Sequence, residues 1–272
     1  MNKKIGFIGC GNMGGALAIA CAKSIGGDRV LLSDLSEKTL RIACEGSGGT
    51  PMPTDQLVKE ADILVLAVKP QVYAAVIGQI APLLCRRASK PLIISIAAGV
   101  TVARVRAMGV GEDCPIIRIM PNTPASVGEG MILYTCDRTE KQDEEDFLSA
   151  FAAAGRLCPL PEDKIDAASA LSGCGPAFVC LFAEAMADGA VACGLPRAQA
   201  NLFAAQTLLG TAKLMIETES HPGVLKDAVC SPGGTTIQGV RRLEEGGMRG
   251  AVMDAVIAAY EKTLALKKDA DQ

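Results

Sequence analysis

Apolar residues in the first 160 positions gather into short unbroken runs, at 5–8, 30–33, 63–68, 92–96 and 116–120. A strand covered on both faces reads as such a run, without alternation. Stretches of helical periodicity lie between them, at 13–24, 37–44, 72–84 and 101–108. The β-α-β-α order predicts a parallel sheet covered by helices. Residues 128–135 and 157–160 predict further edge strands, flanking a helix near 140–153.

Past about Asp163 the texture changes: alanine becomes dense and β-branched runs disappear. Helices are predicted at 163–171, 176–193, 197–217, 222–229, 235–245 and 250–268. Pro176 and Pro196 stand near two of the starts, where proline costs no hydrogen bond. The predicted class is α/β, with an α/β domain over 1–162 and an all-helical domain over 163–272. The 176–193 helix carries only Glu184 and Asp188 as charges. A helix so apolar must be enclosed, by its own chain or by a partner.

Composition narrows the function. Hydrophobic residues are 49% and charged residues 21%, which excludes a disordered chain. The net charge is −3 and there is no tryptophan, so neither a basic surface nor a stacking platform speaks for nucleic acid. The longest apolar runs fall far short of the roughly 18 residues of a membrane span. Gly9, Cys10 and Gly11 interrupt the N-terminal run too early for a signal peptide. The eleven cysteines form no C-x-x-C, and His221, the single histidine, has none close by in sequence. No metal site is expected. The cysteines read instead as small buried hydrophobes in a reducing cytoplasm.

The segment Gly9-Cys10-Gly11-Asn12-Met13-Gly14 matches G-x-G-x-x-G between a predicted strand and a predicted helix. Its glycines permit a tight turn, a backbone approach to pyrophosphate and close helix–strand packing. Helix N-terminal amides then face the phosphates. Asp34 ends the second strand, where an acid accepts from a ribose 2′-hydroxyl. It reads equally as a cap near the next helix, shared with Ser36. Ser33, Ser36 and Lys38 leave a 2′-phosphate pocket open as an alternative. Ala67-Val68-Lys69-Pro70, Ala97-Ala98-Gly99 and the loop holding Asn122 follow later strands, at the end of the sheet where ligands bind.

A second glycine-rich segment, Ser231-Pro232-Gly233-Gly234-Thr235-Thr236, joins two predicted helices. The amides at the start of the second helix form a cradle suited to a carboxylate. The three hydroxyls add neutral donors and acceptors; a plain helix–helix turn capped by threonine is the alternative. No Ser/His/Asp set is available, because His221 stands before Pro222 in a predicted surface turn. Glu184 and Asp188, one turn apart, read as a solvated stripe or as paired carboxylates for acid/base work.

Taken together, these elements resemble the Δ1-pyrroline-5-carboxylate reductase family over nearly the whole chain. They include the Gly9–Gly14 turn, 67–70, 97–100, 120–124, 171–177, 194–197 and above all 225–236. The resemblance implies an N-terminal Rossmann dinucleotide-binding domain and a C-terminal helical domain for substrate binding and dimerisation. It implies NAD(P)H-dependent hydride transfer to a cyclic imine, a small-molecule substrate, yielding L-proline. The substrate carboxylate would lie at Ser231, Gly233, Gly234, Thr235 and Thr236, with Val229 nearby. Thr236 would orient the ring nitrogen. The cofactor would lie along Gly9–Gly14, Ser33, Asp34, Ala67–Pro70 and Ala97–Gly99, with Asn122 at the nicotinamide. Leu35 stands where many relatives carry a basic residue, so Asp34 favours NADH, with NADPH as second donor. A homodimer is implied, a larger ring is left open, and no membrane partner is expected. The reading that competes within enzymes is a β-hydroxyacid dehydrogenase; outside them it is a cofactor-sensing binding protein.

Overall fold

The computed structural model describes residues 2–270. The backbone clusters into two compact units. One holds the chain up to Gly173 and again from Tyr260 onward; the other is Cys174–Ala259.

The first unit is built on one sheet. Its strands are β1 (Ile5–Ile8), β2 (Val30–Ser33), β3 (Thr50–Pro51), β4 (Ile63–Leu66), β5 (Leu92–Ser95), β6 (Ile116–Met120), β7 (Gly130–Asp137) and β8 (Gly155–Pro159). Their order is β3-β2-β1-β4-β5-β6-β7-β8. All pairings are parallel except β6 with β7. Every residue of β1, β2, β4 and β5 is buried, as their unbroken apolar runs demand. Helices α1 (Asn12–Ile25), α2 (Glu37–Ser47) and α6 (Lys141–Phe151) cover one face, over Ile5, Phe7 and Val65. Helices α3 (Thr54–Glu60), α4 (Pro70–Arg86) and α5 (Val102–Ala107) cover the other, over Ile8, Leu64 and Ile93.

Some elements depart from the sequence expectation. β3 and α3 are absent from it, because two and seven residues are too short to show a period. Room for α3 is nevertheless left by Gly6: a Cβ there would overlap the Leu57 side chain and stand 2.9 Å from Ala61 Cβ. Of the two strands predicted for the edge, β7 is interior, between β6 and β8, and β8 forms the edge opposite β3. The apolar run of β6 hides a charge. Arg118 is 1% exposed, and its guanidinium reaches Glu162 at 3.0 Å and Asp166 at 3.3 Å on α7 (Glu162–Ser172). Helix α7 therefore packs with the sheet, although the change of texture falls at 162/163 and the limit of the compact unit at 173/174.

The second unit contains α8 (Gly175–Ala192), α9 (Arg197–Thr218), α10 (Pro222–Ala228), α11 (Thr235–Glu245) and the first part of α12 (Met248–Ala270). Helices α8 and α9 meet through Ala187, Ala200 and Ala204, small enough for close approach. Asp188 pairs with Arg197 at 2.6 Å across them. Elsewhere the unit shows its apolar side chains outward: Leu181, Leu202, Phe203, Leu209 and Ile216 are each more than half exposed. By length and composition, Glu162–Ala192 is one helical stretch that could cross a membrane. The mean hydropathy of its most apolar window is 1.5, and 17% of that window is buried. Alanines spread its apolar character over many residues, which is why no unbroken run announced it.

The cysteines only partly follow expectation. All eleven are free, but only Cys10, Cys21 and Cys114 are buried. Cys180 and Cys193, on or next to α8, belong to a surface that this protomer leaves uncovered. Among the described residues no group of His, Cys, Asp or Glu could hold a metal ion.

Candidate active site

In the sheet unit the sequence-predicted cofactor residues come together at the carboxyl ends of β1, β2, β4 and β5, with Asn122 just past β6. The strand order reverses between β1 and β4, which places the glycine turn at the topological switch point. Gly9 has φ +96°, a conformation that a side chain would strain, and a Cβ there would stand 2.6 Å from the Ala67 carbonyl oxygen. At Gly14 a Cβ would overlap the Gly9 carbonyl oxygen and lie 2.9 Å from Ala67 Cβ. These two glycines therefore fix the packing of α1 on β1 and β4. Gly11 differs: a Cβ there would meet nothing within 4 Å, and the residue is exposed at the start of α1. Gly11 caps α1 with no side-chain hydrogen bond, so the first-turn amides remain open to an anion. Asn12 is exposed and Met13 half-buried beside this opening. The turn fits a dinucleotide pyrophosphate: tight where glycine packs, open where backbone must approach.

Asp34 is committed locally. Its Oδ2 accepts the Cys10 N–H at 2.7 Å and its Oδ1 accepts the Ser36 N–H at 2.8 Å. The carboxylate thus fastens the glycine turn to the start of α2, whose cap is Ser36. Each oxygen keeps a second lone-pair direction, enough to accept from a ribose hydroxyl as well. Ser33 is buried, and its hydroxyl pairs with that of Thr54 at 2.8 Å. Leu35 stands fully in solvent beside them. Burial, followed by the Asp34 charge, pushes the Cys10 thiol up to about 12, which leaves it an inert packing group.

The later loops are held from below. Ala67 donates its N–H to Ile8 O at 2.8 Å, beside the glycine turn. Val68 is half-buried, while Lys69 and Pro70 are exposed at the start of α4. After β5, Ala97 is buried, Ala98 is exposed and Gly99 has φ +73° with open space where a Cβ would lie. Three residues on, the Val102 N–H donates to Glu162 Oε1 at 2.8 Å, the same oxygen that Arg118 grips. Asn122 is 8% exposed and engaged on both sides: Nδ2 donates to Ser172 O and Oδ1 accepts the Met131 N–H, each at 2.8 Å. It ties the loop after β6 to the end of α7. Sequence reasoning did not find Glu162 or Arg118 as supports of these loops. An arginine inside an apolar run was the available signal, since a buried guanidinium demands a carboxylate partner.

The second predicted group lies in the helical unit. Val229 caps the end of α10 and is 65% exposed. Ser231 O accepts the Gly234 N–H at 3.0 Å, and Gly233 has φ +69°. Proline followed by such a glycine is what a type II turn requires. A Cβ at Gly234 would crowd Ser231 Oγ, which could be relieved by rotation of the serine side chain. Gly234 then caps α11 without a side-chain hydrogen bond. The amides of Thr235 and Thr236 at the start of α11 are left open to an anion, and both residues are exposed with Ser231 beside them. Neither threonine is the cap, contrary to the plain-turn alternative. Of the two acids Glu184 and Asp188, Asp188 pairs with Arg197, and both line an open groove of about 810 Å³ on α8 and α9.

Comparison with known proteins agrees with this geometry. Residues 162–266 match the family described as pyrroline-5-carboxylate reductase dimerisation. Residues 4–99 match the one described as NADP oxidoreductase coenzyme F420-dependent. The chain is 43% identical to pyrroline-5-carboxylate reductase of Escherichia coli (strain K12), over 98% of this chain and 100% of that one. It resembles the solved structure of Plasmodium falciparum pyrroline carboxylate reductase with NADP bound at TM-score 0.86 and 34% identity, over 98% of both chains. It also resembles the Coxiella burnetii pyrroline-5-carboxylate reductase at TM-score 0.88 and 33% identity, over 98% and 99% of the two chains. The glycine turn at the switch point of the sheet, the dimerisation match and similarity over nearly the whole chain agree: the chain belongs to the pyrroline-5-carboxylate reductase family.

Proposed function

We propose that this chain reduces Δ1-pyrroline-5-carboxylate to L-proline with NAD(P)H, the last step of proline synthesis. The observation that carries this reading is the pairing, in one chain, of the Gly9–Gly14 turn with the uncapped start of α11 behind Ser231–Gly234. When bound, the reduced nicotinamide supplies a hydride to the C=N carbon. The Thr235 and Thr236 amides bind the substrate carboxylate, with Ser231, Gly233 and Gly234 shaping the turn and Val229 beside it. The Thr236 hydroxyl orients the ring nitrogen. A protonated imine is already electrophilic, so the site needs no strong side-chain acid; positioning supplies several kcal/mol of barrier lowering. The cofactor is held by Gly9, Cys10, Gly11, Asn12, Met13 and Gly14, with Ala67–Pro70 and Ala97–Gly99 along its length. Asn122 serves by fixing its loop.

A β-hydroxyacid dehydrogenase would need a lysine at the reacting carbonyl, and 171–177 and 230–236 contain none. The test mixes protein, reduced cofactor and pyrroline-5-carboxylate, then repeats the assay with a 3-oxo acid. Cofactor oxidation only with the imine is expected; oxidation only with 3-oxo acids, or with neither, would refute the reading. Thr236→Ala should lower kcat/KM at least about tenfold, the worth of a hydrogen bond to a charged group. Thr236 is exposed, so the thermal transition should stay put. Unchanged kcat/KM in a folded variant would remove Thr236 from the site.

NADH is the favoured donor in this reading and NADPH the second. The Asp34 carboxylate repels a 2′-phosphate by about 1–4 kcal/mol at effective dielectrics of 80 to 20, and Leu35 offers no counter-charge. Asp34→Ser also cuts the bonds to Cys10 and Ser36, so both donors should bind less well. The ratio of kcat/KM for NADPH over NADH should nevertheless rise several-fold. A wild type that prefers NADPH tenfold, or a ratio that does not move, would show that Asp34 does not read the ribose.

The dimerisation match over 162–266 and the outward apolar side chains of α8 and α9 support a homodimer. An interface of that apolar kind exceeds about 2,000 Å², and light scattering separates dimer from larger ring. The same partner, rather than a membrane, covers the exposed apolar face of α8 within Glu162–Ala192, since α7 already packs with the sheet. Functionally we divide the chain at 162/163, dinucleotide side and substrate side. Free thiols throughout favour a reducing cytoplasm.

A further inference from the structure

The substrate cradle is delivered by α10, a helix that little in its own protomer holds. None of its seven residues is buried. A helix this short is not stable by itself in water, so a cap at its start adds to what holds it. Its start is fixed by His221: Nδ1 accepts the Gly223 N–H at 3.0 Å, and the His221 carbonyl accepts the Val224 N–H at 2.9 Å. An Nδ1 that accepts carries no proton, so the imidazole caps in its Nε2–H form. Pro222 at the first helical position sets the backbone angle and needs no hydrogen bond of its own. The ring lies over Gly223, where a Cβ would stand 3.0 Å from Nδ1 and 3.3 Å from Cε1. The far end of α10 runs straight into the cradle. Val229 donates to Lys226 O at 3.3 Å and Cys230 to Asp227 O at 3.0 Å, and Ser231 opens the glycine turn.

We propose that His221, the single histidine of the chain, is a positioning residue that holds α10 in register and thereby places Val229 and Ser231 for the substrate carboxylate. It touches neither substrate nor cofactor, and no ligand is assigned to the helix start. The proposal rests on the reading of Val229–Thr236 as the cradle.

The experiment uses the full-length enzyme with pyrroline-5-carboxylate and reduced cofactor, comparing His221→Ala, His221→Asn and Thr236→Ala. Asparagine is among the best N-cap residues and alanine among the poor ones. In His221→Ala the KM for the imino acid should rise about fivefold, the effect of a lost cap. Its kcat and cofactor KM should stay within about twofold of the parent. His221→Asn should restore the parental KM. Hydrogen exchange across 222–231 reads the cap without turnover: faster in His221→Ala, parental in His221→Asn. An unchanged KM in His221→Ala, an effect on kcat alone, or an asparagine variant as impaired as the alanine one would overturn the proposal. If Thr236→Ala is impaired while His221→Ala is not, only the role of His221 fails. If Thr236→Ala is also unchanged, the cradle reading fails with it.

Discussion

Gly14→Ala should lower kcat/KM for the reduced cofactor about a hundredfold, the scale on which a misplacement near 1 Å acts on a positioned reaction. The reason is steric. A methyl at Gly14 would overlap the Gly9 carbonyl oxygen and stand 2.9 Å from Ala67 Cβ. Both neighbours are confined: Gly9 donates its N–H to Ser33 O at 2.8 Å, and Ala67 donates to Ile8 O at 2.8 Å. Relief requires α1 to lift from the sheet, and the uncapped amides at its start, where pyrophosphate would lie, move with it. The proposed cradle at Ser231–Thr236 lies in the other compact unit and is untouched. Titration of the free enzyme with reduced cofactor, followed by nicotinamide fluorescence, reads the loss directly. A Gly14→Ala protein whose cofactor KM stays within about twofold of the parent would show that helix–strand packing at this glycine does not set the site. Gly11→Ala provides the contrast: its Cβ meets no protein atom, so any loss there comes from the ligand.

Arg118→Met should cost the sheet unit about 3–5 kcal/mol, the usual cost of removing one partner from a buried ion pair. Arg118 is 1% exposed, and its guanidinium answers Glu162 and Asp166. Methionine fills much of the volume but leaves Glu162 and Asp166 without that positive charge. The first thermal transition should fall by roughly 10 °C, at a fixed protomer concentration because an oligomer's transition depends on it. Combining Arg118→Met with Glu162→Gln and Asp166→Asn should recover part of the loss, since it removes the negative charges that the lost guanidinium had compensated. The single variant should also raise the cofactor KM, because Glu162 holds the Val102 N–H behind the Ala97–Gly99 loop. A Tm within about 2 °C of the parent would mean that the charges reach water or other partners.

How much of this was legible beforehand follows from the range over which each signal acts. Five strands, β1, β2, β4, β5 and β6, were visible because burial on both faces favours a run of apolar residues, whatever lies next to it. The glycine turn was visible because its three glycines do local work: a positive φ at Gly9, a contact at Gly14 and an opening at Gly11. The Ser231–Gly234 turn was visible for the same reason, with proline and glycine specifying the backbone between them. The helices of the second half were marked by caps and prolines, local features again.

Other features depended on residues far apart in sequence. Nothing near Arg118 in the chain announces Glu162 and Asp166, because the pair forms only when α7 returns to the sheet. The short helix α3 has no period to detect; room for it is left by the missing side chain of Gly6 on another element. Asp34 stood as a choice between ribose ligand and local cap. The fold gave its carboxylate a third task, joining Cys10 to Ser36 across the turn. Asn122 was read as a cofactor contact, and tertiary structure turned both its polar atoms to Met131 and Ser172. The sequence by itself determined the longer elements and the two glycine turns, since periodicity, φ and amide placement are set within a few residues. Only the tertiary structure decided which polar side chains are spent on holding the loops, because a buried donor or acceptor takes whatever partner the packing of distant elements brings within 3 Å.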